Sequence, residues 1–147
     1  MTIAIGGDHG AFELKKQVIE HLQKQGIKTL DMGAYDTASA DYPDFAPPVC
    51  NAVLSGEADF GIVICGTGIG ISLAANKIHG IRCALLGDTY SARMAREHND
   101  ANVMAMGARV LGTGLALDIV DTFLNTDFSH DERHSRRVQK IMDLEKR

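Results

Sequence analysis

Asp59-Phe-Gly-Ile-Val-Ile-Cys65-Gly66-Thr67-Gly68-Ile69-Gly70-Ile-Ser-Leu-Ala-Ala-Asn-Lys77 is the stretch that decides how this chain folds. An apolar run ends in a cysteine, three glycines follow at alternate positions, and a helical segment begins. A strand that turns through glycine into a helix gathers backbone N–H donors at one point and aims the positive end of the helix dipole there. Such a turn suits negative charge, and the thiol of Cys65 at its edge makes it a candidate for chemistry as well as binding. The spacing is not that of a dinucleotide loop, which needs Gly-x-Gly-x-x-Gly, although Asp88 imitates the acidic residue that accompanies one. No Gly-Lys-Ser/Thr follows either, so a nucleotide phosphate loop is excluded. A small-anion or oxyanion site remains, beside the simpler reading of a close-packed turn.

The same grammar repeats outward from this segment. Strands are expected over residues 2–6, 27–31, 59–65, 81–86 and 102–106, and helices over 11–25, 43–55, 68–77, 89–98 and 112–124. Leu14, Val18, Ile19 and Leu22 mark the inner face of the first helix, and Gly26 ends it. Pro47 and Pro48 fit the 43–55 helix only near its first turn, and Thr89 is the expected N-cap of the 89–98 helix. A strongly charged last helix over 132–146 has Val138, Ile141, Met142 and Leu144 as its apolar positions. Near-continuous apolar strands alternating with helices predict one α/β domain over 1–147, with a five-stranded parallel sheet covered on both faces. Ligands of such sheets bind beyond the carboxyl ends of the strands. That rule selects Gly7-Asp8-His9, Met32-Gly33, Cys65–Gly70, Gly87-Asp88 and Gly107–Arg109.

The bulk composition narrows the partners. The chain is 45% hydrophobic and 23% charged with a net charge of −4, which fits a globular domain and argues against a general nucleic-acid or anionic-membrane surface. No run approaches the roughly 18 apolar residues of a membrane span, and no signal-peptide pattern opens the chain. Cys50, Cys65 and Cys83 are an odd number without framework spacing, the pattern of reduced thiols in a cytoplasm.

Asp8 is placed either to cap the first helix or to meet a ligand hydroxyl, and the two roles are compatible; His9 beside it is available to an anion. Cys65 stands where N–H donors favour a thiolate. His98 closes a helix whose C-terminal dipole favours a protonated imidazole, with Asn99 expected in a left-handed cap. His130 and His134 are four apart, the spacing of a helical metal pair, but match no zinc signature and lack a third ligand. Arg133 and Arg137 share one helix face, either as a solvated basic stripe or as a phosphate clamp, and Arg109 is a further candidate.

Taken together, Gly7-Asp8-His9-Gly10, Asp41-Tyr42-Pro43-Asp44, Cys65-Gly-Thr-Gly-Ile-Gly70, Ala74-Ala-Asn-Lys77, Ile81-Arg82, His98-Asn-Asp100, Asn102-Val103, Gly107-Ala-Arg109-Val110 and the Arg133/Arg137 pair resemble the ribose-5-phosphate isomerase B family, which also includes allose-6-phosphate and galactose-6-phosphate isomerases. The resemblance runs in order over essentially the whole chain. It implies a three-layer αβα, Rossmann-like domain with an extra C-terminal helix, free of metal and cofactor, that isomerises a phosphorylated sugar. It also implies a homodimer or dimer of dimers whose active site is shared between subunits. Carried over, Cys65 is the base at C2, His98 the acid that opens the furanose ring, and Thr67 the group that moves a proton between O1 and O2. The amides of Gly66, Thr67, Gly68, Ile69 and Gly70 hold the enediolate, while Asp8, Tyr42 and Asn99 contact the sugar. His9, Arg109, Arg133 and Arg137 hold the phosphate, the arginines reaching in from the partner. Two alternatives stay open: a six-carbon sugar phosphate, with residues 33–45 setting pocket depth, and a non-catalytic phosphosugar-binding subunit.

Overall fold

Eleven regular elements alternate along the chain, which the computed structural model describes over Met1–Arg147. They are β1 (Thr2–Gly7), α1 (Phe12–Lys24), β2 (Lys28–Asp31), α2 (Ala46–Leu54), β3 (Phe60–Cys65), α3 (Ile69–Ala75), β4 (Cys83–Leu85), α4 (Thr89–Glu97), β5 (Val103–Gly107), α5 (Thr113–Leu124) and α6 (Glu132–Asp143). Every strand pairing is parallel, and the order across the sheet is β2-β1-β3-β5-β4. The period of two along each strand sorts its side chains between two cores. Ile3, Ile5, Ile62, Ile64, Met104 and Met106 join Val18, Leu22, Ile119 and Phe123 beneath α1, α4 and α5. Ala4, Val63, Cys65, Val103 and Ala105 join Val49, Cys50, Ile71 and Ala75 beneath α2 and α3. Burial on both faces is why these strands read as unbroken apolar runs.

The expected α/β architecture is present, with several local corrections. Residues 42–45 form a 3₁₀ turn and α2 starts at Ala46, because Pro47 and Pro48 are accommodated only in a first turn. Asp88, not Thr89, caps α4: it accepts from the Ser91 N–H at 2.6 Å and the Ser91 hydroxyl at 2.8 Å, bonds that hold its carboxyl below the usual carboxylate range. The left-handed residue after α4 is Asp100, at φ 46°, not Asn99. His130 lies outside α6, so it and His134 do not form a helical pair.

Topology sets two poles. The turns leaving the strands gather at the carboxyl pole, whereas each helix returns its C-terminus to the amino pole. Because β1 lies between β2 and β3, the chain switches direction there, which opens a crevice between the ends of β1 and β3. The segment 98–100 is at the opposite pole. α6 belongs there too: the Ser129 N–H donates to the Glu97 carbonyl at 3.0 Å, and the Gly80 N–H, just before β4, donates to Glu145 at 2.8 Å.

Phe123 is fully buried, with its ring edge-on to Phe60 at 5.7 Å. Phe123→Ala is expected to lower unfolding stability by about 3–5 kcal/mol, read from urea denaturation.

Candidate active site

At the carboxyl pole, Asp8, Tyr42, Cys65, Gly66, Thr67, Gly70 and Arg109 line an open cavity of about 500 Å³, with Ile69 and Leu73 on its rim. Cys65 ends β3 with its side chain buried, and its sulfur accepts the Gly68 N–H at 3.1 Å. Gly68 makes this bond from a left-handed conformation, φ 77°, as the N-cap of α3. A side chain is excluded there, since a Cβ would lie 2.6 Å from Leu85 and 2.7 Å from the Met106 carbonyl carbon. The bond from the Gly68 N–H holds the sulfur against the glycine turn. The Thr67 hydroxyl accepts the Ile69 N–H at 3.2 Å. The N–H groups of Gly66, Thr67 and Gly70 have no acceptor within the chain, leaving three fixed donors in the turn that follows the thiol. Gly70 is glycine because the Tyr42 ring occupies the place of its side chain.

Charge is supplied from the same pole. The Arg109 guanidinium lies over Gly66 and Gly10 and forms no ion pair. Arg109 therefore stands beside Cys65 of its own chain, which corrects the expectation that it reaches in from a partner. Asp8 is buried, lines the cavity and accepts the Gly10 N–H at 3.0 Å; it caps the 3₁₀ turn His9–Ala11 and not α1 itself, whose N-cap Ala11 makes no side-chain bond. His9 Nδ1 accepts the Ala40 N–H at 3.1 Å, which leaves the ring proton on Nε2 as a donor. The loop before Tyr42 thus fixes the His9 tautomer.

The remaining predicted residues are gathered elsewhere. His98 ends α4 at the amino pole, 38% exposed, with its ring stacked on His134 at a centroid distance of 4.1 Å. Asn99 is exposed and makes no side-chain hydrogen bond, and it borders a second cavity of about 270 Å³ with Arg82, Cys83 and Ile141. Arg133 and Arg137 are exposed on α6; Arg133 approaches only Asp131, at 3.8 Å. One chain therefore carries two half-sets: thiol, amides, Asp8, His9 and Arg109 at one end, and His98, Asn99, Arg133 and Arg137 at the other. Burial pushes the other two thiols upward, Cys50 to about 11 and Cys83 further, so neither is poised as a base.

Sequence reasoning gave Arg82 and Arg96 no role and read His134 only as half of a metal pair. Arg96 is four residues before Asp100, and that spacing was the one available signal. His134 looks like part of a charge run, yet it is 5% exposed and bonded to the Ser129 hydroxyl at 2.6 Å.

The model of the ribose/galactose isomerase family matches residues 3–141. A solved ribose-5-phosphate isomerase B from Clostridium thermocellum superposes with a TM-score of 0.97 at 55% identity, covering 99% of this chain and 98% of that one. Ribose-5-phosphate isomerase B of Escherichia coli strain K12 is 46% identical over 99% of this chain and 97% of its own. The Mycoplasma genitalium ribose-5-phosphate isomerase B, solved with bound ribulose 5-phosphate, gives a TM-score of 0.92 at 41% identity, over 99% of this chain and 96% of that one.

Burial, with the charges of His98 and Arg133 adding to it, holds His134 below the ordinary histidine value of 6.5. The native state then binds fewer protons than the unfolded chain, so stability is present above pH 6.5 and is lost as pH falls below it. Melting temperatures recorded from pH 7.5 down to 5 are expected to drop, and to drop less steeply in His134→Phe.

Proposed function

We propose that this chain, which belongs to the ribose/galactose isomerase family, interconverts ribose 5-phosphate and ribulose 5-phosphate at a site completed by a second copy of itself. The observation that carries the reading is the set of uncommitted N–H groups in the turn after Cys65, with unpaired Arg109 beside them and the Nε2 donor of His9 at the same pole. Aldose–ketose isomerisation needs those parts: a base beside a carbonyl, fixed donors for the charge that forms, and a grip on phosphate.

The reaction begins with the furanose. His98 of the partner subunit gives a proton to the ring oxygen as the C1–O bond to that oxygen breaks, Asp8 takes the O1 proton as the aldehyde forms at C1, and Asn99 of the partner subunit holds a sugar hydroxyl. The Cys65 thiolate then takes the C2 proton, and the electron pair of that bond moves through C1–C2 onto the carbonyl oxygen. The resulting enediolate oxygen is met by the free amides of Gly66, Thr67 and Gly70, donors held in place before charge develops, while the Gly68 amide stays on the Cys65 sulfur and the Ile69 amide on the Thr67 hydroxyl. Thr67 passes a proton between O2 and O1. Cys65 returns its proton to C1, leaving the ketone at C2. His9 and Arg109 hold the phosphate from one side, and Arg133 and Arg137 of the partner subunit close over it. The assembly is a homodimer or a dimer of dimers. Three free thiols suit a reducing cytoplasm.

Three measurements test this. Cys65→Ala is expected to lower kcat by about 10²–10⁴-fold with the fold and assembly intact; a variant that keeps most of the rate removes Cys65 from the chemistry. Cys65→Ala chains exchanged with His98→Asn chains are expected to regain about one quarter of the wild-type rate, since half the pairs are mixed and each mixed pair has one intact site. No recovery would place all the chemistry in one chain. Ribose 5-phosphate is expected to turn over faster than allose 6-phosphate, and the opposite order would make the substrate a six-carbon sugar.

A further inference from the structure

The turn that carries His98 and Asn99 is held almost entirely through the residue after them. Asp100 sits in the left-handed region, φ 46°. Its carboxylate accepts from Arg96 Nη1 at 2.9 Å and from Arg82 Nη2 at 3.3 Å. Its carbonyl accepts from Arg82 Nε at 2.9 Å and Nη2 at 2.7 Å, and its N–H donates to the Arg96 carbonyl at 3.2 Å. Arg96 also donates to the Ala101 carbonyl at 2.6 Å, so one guanidinium pins two successive residues. By contrast, neither the Asn99 nor the His98 side chain has a hydrogen-bond partner; His98 approaches Glu97 at 3.7 Å and stacks on His134. The backbone is fixed and the polar atoms of the two side chains are left uncommitted.

The form of the anchor is informative. Arg96 is 6% exposed, its guanidinium lies 4.6 Å from the Phe60 ring centre and 5.8 Å from that of Phe123, and its Nε has no partner. A buried donor left unsatisfied is a stability cost that an apolar residue at this position would avoid. Arg82 extends the network: its Nη1 meets the Met142 sulfur at 3.3 Å, which ties the turn to α6 and so to the helix bearing Arg133 and Arg137.

We propose that Arg96 and Arg82, acting through Asp100, are positioning residues that hold His98, Asn99 and α6 as one preformed half-site, presented to the Cys65 pole of the partner. This rests on the shared-site reading above. Neither arginine touches substrate. Their effect is on the step that the amino pole performs, which is ring opening.

Ribulose 5-phosphate separates that step from the Cys65 step. Its C5 oxygen is phosphorylated, so it has no furanose form, and exchange of its C1 hydrogen with deuterium from D2O reports proton transfer alone. In Asp100→Asn, conversion of ribose 5-phosphate is expected to fall about tenfold or more in kcat while deuterium exchange falls no more than about threefold. Arg96→Lys, which keeps the charge but lacks the planar fork, is expected to show the same split. Equal losses in the two reactions, or no loss in either, would overturn the proposal. Asp100→Asn chains should also be rescued by exchange with Cys65→Ala chains and not by exchange with His98→Asn chains; failure of both exchanges, where Cys65→Ala and His98→Asn rescue each other, would show general damage and overturn it. If that reference pair does not rescue, the shared-site reading is what fails, while the split between the two reactions still tests the anchoring of His98.

Discussion

Backbone lying directly on backbone is the constraint from which the carboxyl pole follows. The turn after β3 rests on the end of β5 with no side chain between them. A Cβ at Gly107 would sit 2.6 Å from the carbonyl carbon and oxygen of Thr67, and one at Gly68 would sit 2.7 Å from the carbonyl carbon of Met106. The contact is sealed by the Arg109 N–H donating to the Gly66 carbonyl and the Ala108 N–H donating to the Cys65 carbonyl, each at 2.9 Å. Pressed into this seat, Gly68 has little choice of conformation, and the left-handed one points its N–H at the Cys65 sulfur. The position of α3, the free amides and the direction of Arg109 are all set by that seat.

Charged groups divide into two populations. Those that hold the fold are buried and committed: Lys15 lies on Asp31 at 2.6 Å, and Arg96 lies on Asp100 at 2.9 Å. Arg109, Arg133 and Arg137, by contrast, are exposed and unpaired or loosely paired, as the proposed phosphate grip requires. Neither charge nor residue type separates the two. Lys15 and Arg109 differ in whether the fold gives them a carboxylate.

The sheet and its helices were legible because burial on both faces leaves a plain mark, an unbroken run such as Ile62-Val63-Ile64 between turn residues. The Cys65–Gly70 turn was legible for a related reason, since close approach permits only glycine. Competition between neighbours was harder to read. Thr89 and Asp88 are both good caps, and the choice fell to Asp88 because its carboxylate takes two bonds from Ser91. Asn99 and Asp100 both tolerate a left-handed backbone, and two arginines distant in sequence from each other decided for Asp100. The four-residue spacing of Arg96 and Asp100 is a local signature, but the contact from Arg82 spans 18 residues and has none. The burial of His134 depends on the stacking partner His98, 36 residues away by number, and a charge run conceals it. The separation of the candidate residues into two poles follows from parallel alternation, which puts residues after a strand and residues after a helix on opposite edges of the sheet; strand order, which spacing along a sequence does not encode, decides only where the crevice opens.

The sheet order also bears on how the chain behaves in a crowded solution. Its outermost strands are β2 and β4, of four and three residues, so few unpaired amides and carbonyls line either edge. Lys28 and Asp31, exposed at the two ends of β2, make a foreign strand a poor fit beside it. The long apolar strands that would otherwise template aggregation, β1, β3 and β5, are enclosed between these edges. A molecule that leaves polar groups unsatisfied at both poles is thereby protected along its flanks, and self-association is directed away from open-ended strand addition.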